Sequence, residues 1–272
     1  MPTVEVNGAE LHYERQGAGE PLLMIMGMGG THRHWGRPFA DLIAADFDAI
    51  SYDHRGVGAS GRLEGELSIA RLADDALGLL DALSLQRAHV LGISMGGMVA
   101  QELALRAPER LRTLTLGCTW AGGPQGRFTS PEVAARIREA ALLGDRRRAI
   151  RAGWEFNFSK EYRAEEPRFD EFYEIAAAMP VALNVLAAQG LACAAHDTDE
   201  RLAGLTAPTL VIHGSEDMIL DVANARLIAA RIPGARLELL QGVGHMFFWE
   251  RPELAAGLVR EHATAWAGAA SG

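Results

Sequence analysis

The residues best suited to covalent chemistry lie in Gly92-Ile93-Ser94-Met95-Gly96-Gly97, which follows the apolar run HVLGI and precedes the helix-forming MVAQELALRAPE. A serine on a sharp strand-to-helix turn presents its hydroxyl clear of the sheet, and the glycines on either side leave room for the turn. The helix N-terminus behind it favours negative charge that develops nearby. A phosphate-binding loop is the weaker reading, because GISMGG does not match GxGxxG and no GxxxxGKS or GxxxxGKT occurs.

A serine hydroxyl is a poor nucleophile near neutral pH and needs a base. Among nine histidines, His245 is the best placed, in QGVGHMFFWERPE between the last strand-like run and the last helical one. His262 falls in the terminal helical stretch, and His12 and His89 fall in strand patterns. His213 ends a strand and is expected to pack the turn there. His32, His34, His54 and His196 lie in loops or helix starts, without well-spaced partners for a metal. The base in turn needs a carboxylate to orient it. HGSEDMILD offers Glu216, Asp217 and Asp221. Asp217 is favoured because it comes early in the loop. Asp221 reads as the cap of the helix that follows, and Glu216 as a solvated neighbour.

Acyl transfer also requires donors for an oxyanion. The backbone N–H of Met95, next to the serine, is one candidate. The N–H of Met28, in the glycine loop Met26-Gly27-Met28-Gly29-Gly30, is the other. Each such donor is worth about 3 kcal/mol in the transition state. Gly27, Trp120, Met218, Met246 and Phe247 are expected to line an apolar substrate pocket, with plain core as the competing reading for several of them. His32, Arg33 and Arg127 are the candidates to meet a substrate carboxylate.

The elements that must position these groups can be read from hydrophobic period. Thr3–Asn7 and Glu10–Arg15 alternate in polarity around Asn7-Gly8 and predict a hairpin. Pro21–Met26, Asp48–Tyr52, Ala88–Ile93, Leu111–Leu116, Thr209–His213 and Arg236–Leu240 are apolar runs of strand length, as expected for a parallel sheet covered on both faces. Trp35–Ala45, Ile69–Leu83 (capped by Ser68), Met98–Arg106, Val222–Arg231 and Pro252–Ala265 carry apolar residues at helical spacing. The alternation predicts an α/β fold with a doubly wound, mostly parallel sheet. Thr119–His196 breaks it, and is read as a helical insertion over the ligand-binding edge. The expected organisation is therefore core 1–118, helical cap 119–196 and core 197–272.

Composition narrows the partners. A net charge of −9 disfavours nucleic acid and anionic membrane surfaces. The two cysteines, Cys118 and Cys193, argue against a disulfide framework and for a reducing compartment. The N-terminus lacks the pattern of a secretory signal, and Val181–Ala195 is too short and too polar to span a bilayer, so a cytoplasmic location is expected. A homo-oligomer is compatible with the sequence.

Taken together, the glycine loop, Asp53-His54-Arg55-Gly56-Val57-Gly58-Ala59-Ser60, GISMGG, HGSED and GVGH resemble the α/β-hydrolase superfamily over nearly the whole chain. The resemblance implies a Ser–Asp–His hydrolase with a helical cap and no metal or organic cofactor. Within the superfamily the chain resembles enol-lactonase-like and small carboxylesterase and methylesterase members, which implies a small ester or lactone substrate. Met26 stands where many members have the histidine of a His-Gly pair. Asp53 and Arg55 are expected to brace their loop. Three other activities share this sequence pattern: hydrolysis of a C–C bond in a vinylogous diketone, cofactor-free perhydrolysis, and ligand binding without catalysis.

Overall fold

The computed structural model describes residues 2–128, 130–142 and 144–270. Eight strands form one sheet: β1 (Thr3–Val6), β2 (Ala9–Gln16), β3 (Glu20–Ile25), β4 (Phe47–Tyr52), β5 (Ala88–Ile93), β6 (Leu111–Gly117), β7 (Thr209–Gly214) and β8 (Arg236–Leu240). Their spatial order is β1-β2-β4-β3-β5-β6-β7-β8. β1 and β2 form the hairpin, β2 runs antiparallel to β4, and all pairs from β4 to β8 are parallel. This is the α/β-hydrolase architecture, a mostly parallel sheet flanked by helices.

The helices are α1 (Arg37–Ala44), α2 (Ile69–Ala82), α3 (Met95–Arg106), α4 (Pro131–Leu142), α5 (Arg146–Asn157), α6 (Glu166–Ala178), α7 (Leu183–Ala194), α8 (Ala223–Arg231), α9 (Phe247–Glu250) and α10 (Pro252–Ala270). Successive side chains of a strand point to opposite faces. Leu23, Ile25, Val90 and Val211 therefore pack against α2, α3 and α8. Leu22, Met24, Leu91 and Ile212 pack on the other face with Phe39 of α1 and Val259 of α10. No single helix is long and apolar enough to cross a membrane among the described residues. Both cysteines are buried and unbridged.

Two helix starts differ from the sequence reading by more than one residue, and α10 runs to Ala270 rather than Ala265. Gly36 at φ +70 interrupts the segment expected as Trp35–Ala45, so Trp35 belongs to a 3-10 turn, His32–Trp35, and α1 starts at Arg37. α3 begins at Met95 rather than Met98, because the turn at Ser94 feeds straight into it. Ser68 caps α2 as expected, accepting from the Arg71 N–H at 3.1 Å. α4–α7 all lie between β6 and β7. Trp154, Phe158, Phe169 and Phe172 from this segment continue the α1–α10 core face. The segment is thus packed onto the body of the molecule.

Candidate active site

The turn after β5 holds Ser94 at φ +56, ψ −119, a region that L-residues rarely occupy. The glycines around it are required by close packing. A β-carbon on Gly92 would lie 2.3 Å from the Gly96 carbonyl oxygen, and one on Gly96 would lie 2.0 Å from that of Ile25. Thr119, just past β6, donates its hydroxyl to the Ser94 carbonyl at 2.7 Å and holds the turn from the neighbouring strand end.

His245 sits in the loop between β8 and α9 and is buried. Its Nδ1 lies 2.7 Å from Asp217 Oδ2. Asp217, after β7, has a fully buried side chain. Its Oδ1 accepts from the backbone N–H groups of Ile219 at 2.8 Å and Leu220 at 2.9 Å. Its Oδ2 also lies 3.1 Å from His213 Nε2, which itself lies 2.9 Å from the Leu220 carbonyl. Both of those partners are acceptors, so Nε2 carries the hydrogen on His213. Burial opposes ionisation of Asp217. The charge of His245 and the hydrogen bonds from His213 and His245 outweigh it and hold the carboxyl well below the usual range. Cys118 lies beside this pair, and burial together with the Asp217 charge pushes its thiol pKa well up, so it stays protonated.

Ser94 and His245 line one cavity of about 300 Å³. No hydrogen bond joins the hydroxyl to the imidazole among the described residues; such contacts commonly tighten only with substrate bound. Met28 stands on the same wall. No described residue accepts from the N–H of Met28 or from that of Met95, the first residue of α3. Gly27 lies close to the serine, since a β-carbon there would sit 3.1 Å from Ser94 Cβ. The rest of the wall is largely apolar, with Met26, Ile93, Ile219, Met246 and Phe248.

Of the expected pocket residues, Gly27 and Met246 line this cavity, but Trp120, Met218 and Phe247 do not. The Trp120 ring packs on Phe128, 5.0 Å between ring centroids, and Phe128 takes the place on the wall. Met218 faces an open groove with Asp221 and Val222. Phe247 begins α9, and that turn drives its ring under Gly117 into the core. None of His32, Arg33 and Arg127 lines the cavity either. His32 is held by Asp53, at 3.0 Å, and Arg127 stands by Asp221. Asp221 is not the cap of the following helix, as expected from the sequence; the cap position is Val222, and Asp221, one residue earlier, accepts from the Ala223 N–H at 2.8 Å and closes the turn into α8.

Several supporting residues escaped the sequence reading. His54 donates Nε2–H to the Met26 carbonyl at 3.0 Å and braces the glycine loop. Gln189 of α7 is fully buried and accepts from the Gly29 N–H at 2.9 Å, tying the same loop to the inserted helices. Glu250 accepts from the N–H groups of Gly244, at 3.0 Å, and Ser159, at 2.8 Å, and so joins the histidine loop to the segment after α5. His34 lines the cavity. Asp53 accepts from the N–H groups of His32 and Ala59, and Arg55 pairs with Asp75 in the core, so both brace their surroundings. Among the described residues, two clusters bring metal-ligand atoms within 4.8 Å of one another, Cys118–Asp217–His245 and His12–Glu14–His32. The first contains the aspartate–histidine pair itself. The second corrects the reading that His32 lacks well-spaced partners, because β2 supplies them from across the fold.

Comparison with known proteins agrees with this architecture. The model of the alpha/beta hydrolase fold family matches residues 20–252. A protein of Azorhizobium caulinodans named carbamate hydrolase RutD is 35% identical over 256 residues, 93% of this chain and 95% of that protein. A hydrolase from Pseudomonas aeruginosa superimposes with a TM-score of 0.82 at 34% identity, covering 96% of this chain and 97% of the other. The enol-lactonase from Burkholderia xenovorans gives a TM-score of 0.82 at 30% identity, covering 97% and 100%. The family match across most of the chain, with the sheet order and the serine turn at its centre, makes this chain a member of the α/β-hydrolase fold family.

Proposed function

We propose that this protein is a serine hydrolase that cleaves a small, predominantly apolar carboxylic ester or lactone through an acyl-enzyme. The observation that carries the reading is the 2.7 Å contact between His245 and a buried, ionised Asp217, with His245 and Ser94 on the wall of one cavity. Asp217 accepts from Nδ1–H, which leaves the Nε2 lone pair of His245 free to take the Ser94 proton. Ser94 Oγ then attacks the carbonyl carbon. The N–H groups of Met28 and Met95 stabilise the oxyanion. The C–O bond breaks, and the leaving alkoxide takes the proton from His245. Water, deprotonated by the same histidine, attacks the acyl-serine and releases the acid.

The mostly apolar wall and the absence of a cationic side chain from it among the described residues favour an uncharged substrate. Lactone-acting relatives support the lactone side of this reading: the enol-lactonase above and a protein described as degrading N-acyl homoserine lactones, 30% identical. The test is hydrolysis of p-nitrophenyl acetate and of a simple lactone by purified protein. Activity lost in a folded Ser94→Ala variant supports the reading, and wild-type rates in that variant refute it.

A further inference from the structure

The cavity beside Ser94 contains a polar side chain that the proposed chemistry does not use. His34 closes the 3-10 turn after the glycine loop, is 9% exposed, and lines the cavity. Its Nδ1 lies 3.0 Å from the Thr31 backbone N–H. A backbone N–H only donates, so Nδ1 is the unprotonated nitrogen and the neutral ring carries its hydrogen on Nε2. Burial, only partly offset by Asp53, brings the pKa of the imidazole down to about 4, which keeps the ring neutral near pH 7.

The ring is also fixed in place. The Trp249 indole N–H donates to the His34 carbonyl at 2.7 Å, and Phe172 meets the imidazole edge-on at 6.1 Å. Nδ1 is taken up by the Thr31 turn, and no described residue accepts from Nε2. A mostly buried ring that lines the cavity and has no described acceptor for its N–H is placed to meet a ligand there. Among the described lining residues, the other polar side chain beyond the serine and its base is Asn157, whose amide N–H already donates to the Gly153 carbonyl.

We infer that His34 is a substrate-binding residue, whose Nε2–H donates to an uncharged acceptor oxygen of the substrate other than the scissile carbonyl. The class of group it selects is a ketone, ether or second ester oxygen. A neutral donor fixed in an apolar wall suits such an oxygen, whereas a carboxylate would call for a cation. The site then discriminates by leaving its own donor unpaired when the oxygen is missing, the asymmetry by which polar sites reject apolar analogues. The inference rests on the hydrolase reading for the reaction, but not for the binding contact.

Two measurements test it. The first uses pairs of p-nitrophenyl esters in which an ether or ketone oxygen replaces a methylene at successive positions of the acyl chain. At one position, His34→Leu lowers the ratio of kcat/KM between the oxygenated ester and its hydrocarbon partner by about tenfold, and His34→Gln restores part of it. Ratios unmoved at every position overturn the assignment. The second reads binding without turnover, by long-range 1H–15N NMR of the histidines in Ser94→Ala protein. The His34 ring is expected as the Nε2–H tautomer, with its Nε2 signal moving on titration with ethyl levulinate, an ester that carries a second, ketone oxygen. An Nδ1–H tautomer or an unmoved signal overturns the inference even if esters are hydrolysed. A moving signal in a protein whose wild type hydrolyses nothing upholds the contact and removes the hydrolase reading instead.

Discussion

Replacing Asp217 by asparagine tests the relay at its most constrained point, and the structure determines how the new amide must sit. Oδ1 accepts from two backbone N–H groups, Ile219 at 2.8 Å and Leu220 at 2.9 Å, which have no alternative protonation state. The amide oxygen must therefore take the Oδ1 position, and the NH2 group falls where Oδ2 now meets His245 Nδ1 at 2.7 Å. Two donors cannot face each other. His245 responds by moving its hydrogen to Nε2, so the nitrogen needed by Ser94 no longer has a lone pair. The tautomer error is worth about 10⁴ in kcat where the same change has been made in a serine protease triad, or about 5.4 kcal/mol of transition-state stabilisation. The assay is steady-state hydrolysis of p-nitrophenyl acetate at pH 7, with circular dichroism to check the fold. A fall of 10³–10⁵ in kcat at similar KM is expected. A loss smaller than about tenfold would mean that His245 does not depend on Asp217 for its tautomer, and would refute the reasoning.

Asp221→Asn should leave kcat within about threefold of wild type and cost at most about 1 kcal/mol by urea unfolding, because its side chain only closes the turn before α8 and stands by Arg127 at the surface. Gly96→Ala sets a β-carbon 2.0 Å from the Ile25 carbonyl oxygen, and a loss of more than about 3 kcal/mol, or insoluble protein, is expected on expression and thermal unfolding. Arg55→Ala strands the buried Asp75 carboxylate, and urea unfolding should show a loss of about 3–5 kcal/mol. Because the Asp217 pKa is depressed on folding, the stability it contributes is complete above the unfolded carboxylate pKa, about 3.9, and is lost as pH falls through the lower folded value. The stability gap between wild type and Asp217→Asn, measured by urea unfolding, should narrow as pH falls below about 4.

The fold was largely legible because its signals are local. β5 and β8 coincide with the apolar runs Ala88–Ile93 and Arg236–Leu240, and Asn7-Gly8 marks the hairpin turn. Ser94, Asp217 and His245 were legible for a related reason: each follows a strand-like run, so one edge of a parallel sheet collects them. What the sequence concealed depends on contacts across the chain. Gln189 meets Gly29, and Trp249 meets His34, through pairings that no period announces. Trp120, Met218 and Phe247 were misread because a chain neighbour of a site residue need not share its direction. In a tight loop, consecutive side chains diverge, and Phe247 goes into the core while Met246 faces the cavity. His213 was expected only to pack a turn. Its contact with Asp217 Oδ2, at 3.1 Å, depends on the path of the loop between the two residues.

The central claim is that Ser94 becomes a covalent nucleophile through His245. The most direct measurement is intact-mass analysis with peptide mapping after treatment with a fluorophosphonate. A single adduct on Ser94, missing from Ser94→Ala and formed far more slowly in His245→Ala, is the predicted result. An adduct on another residue, or labelling of Ser94 at the same rate without His245, would contradict it.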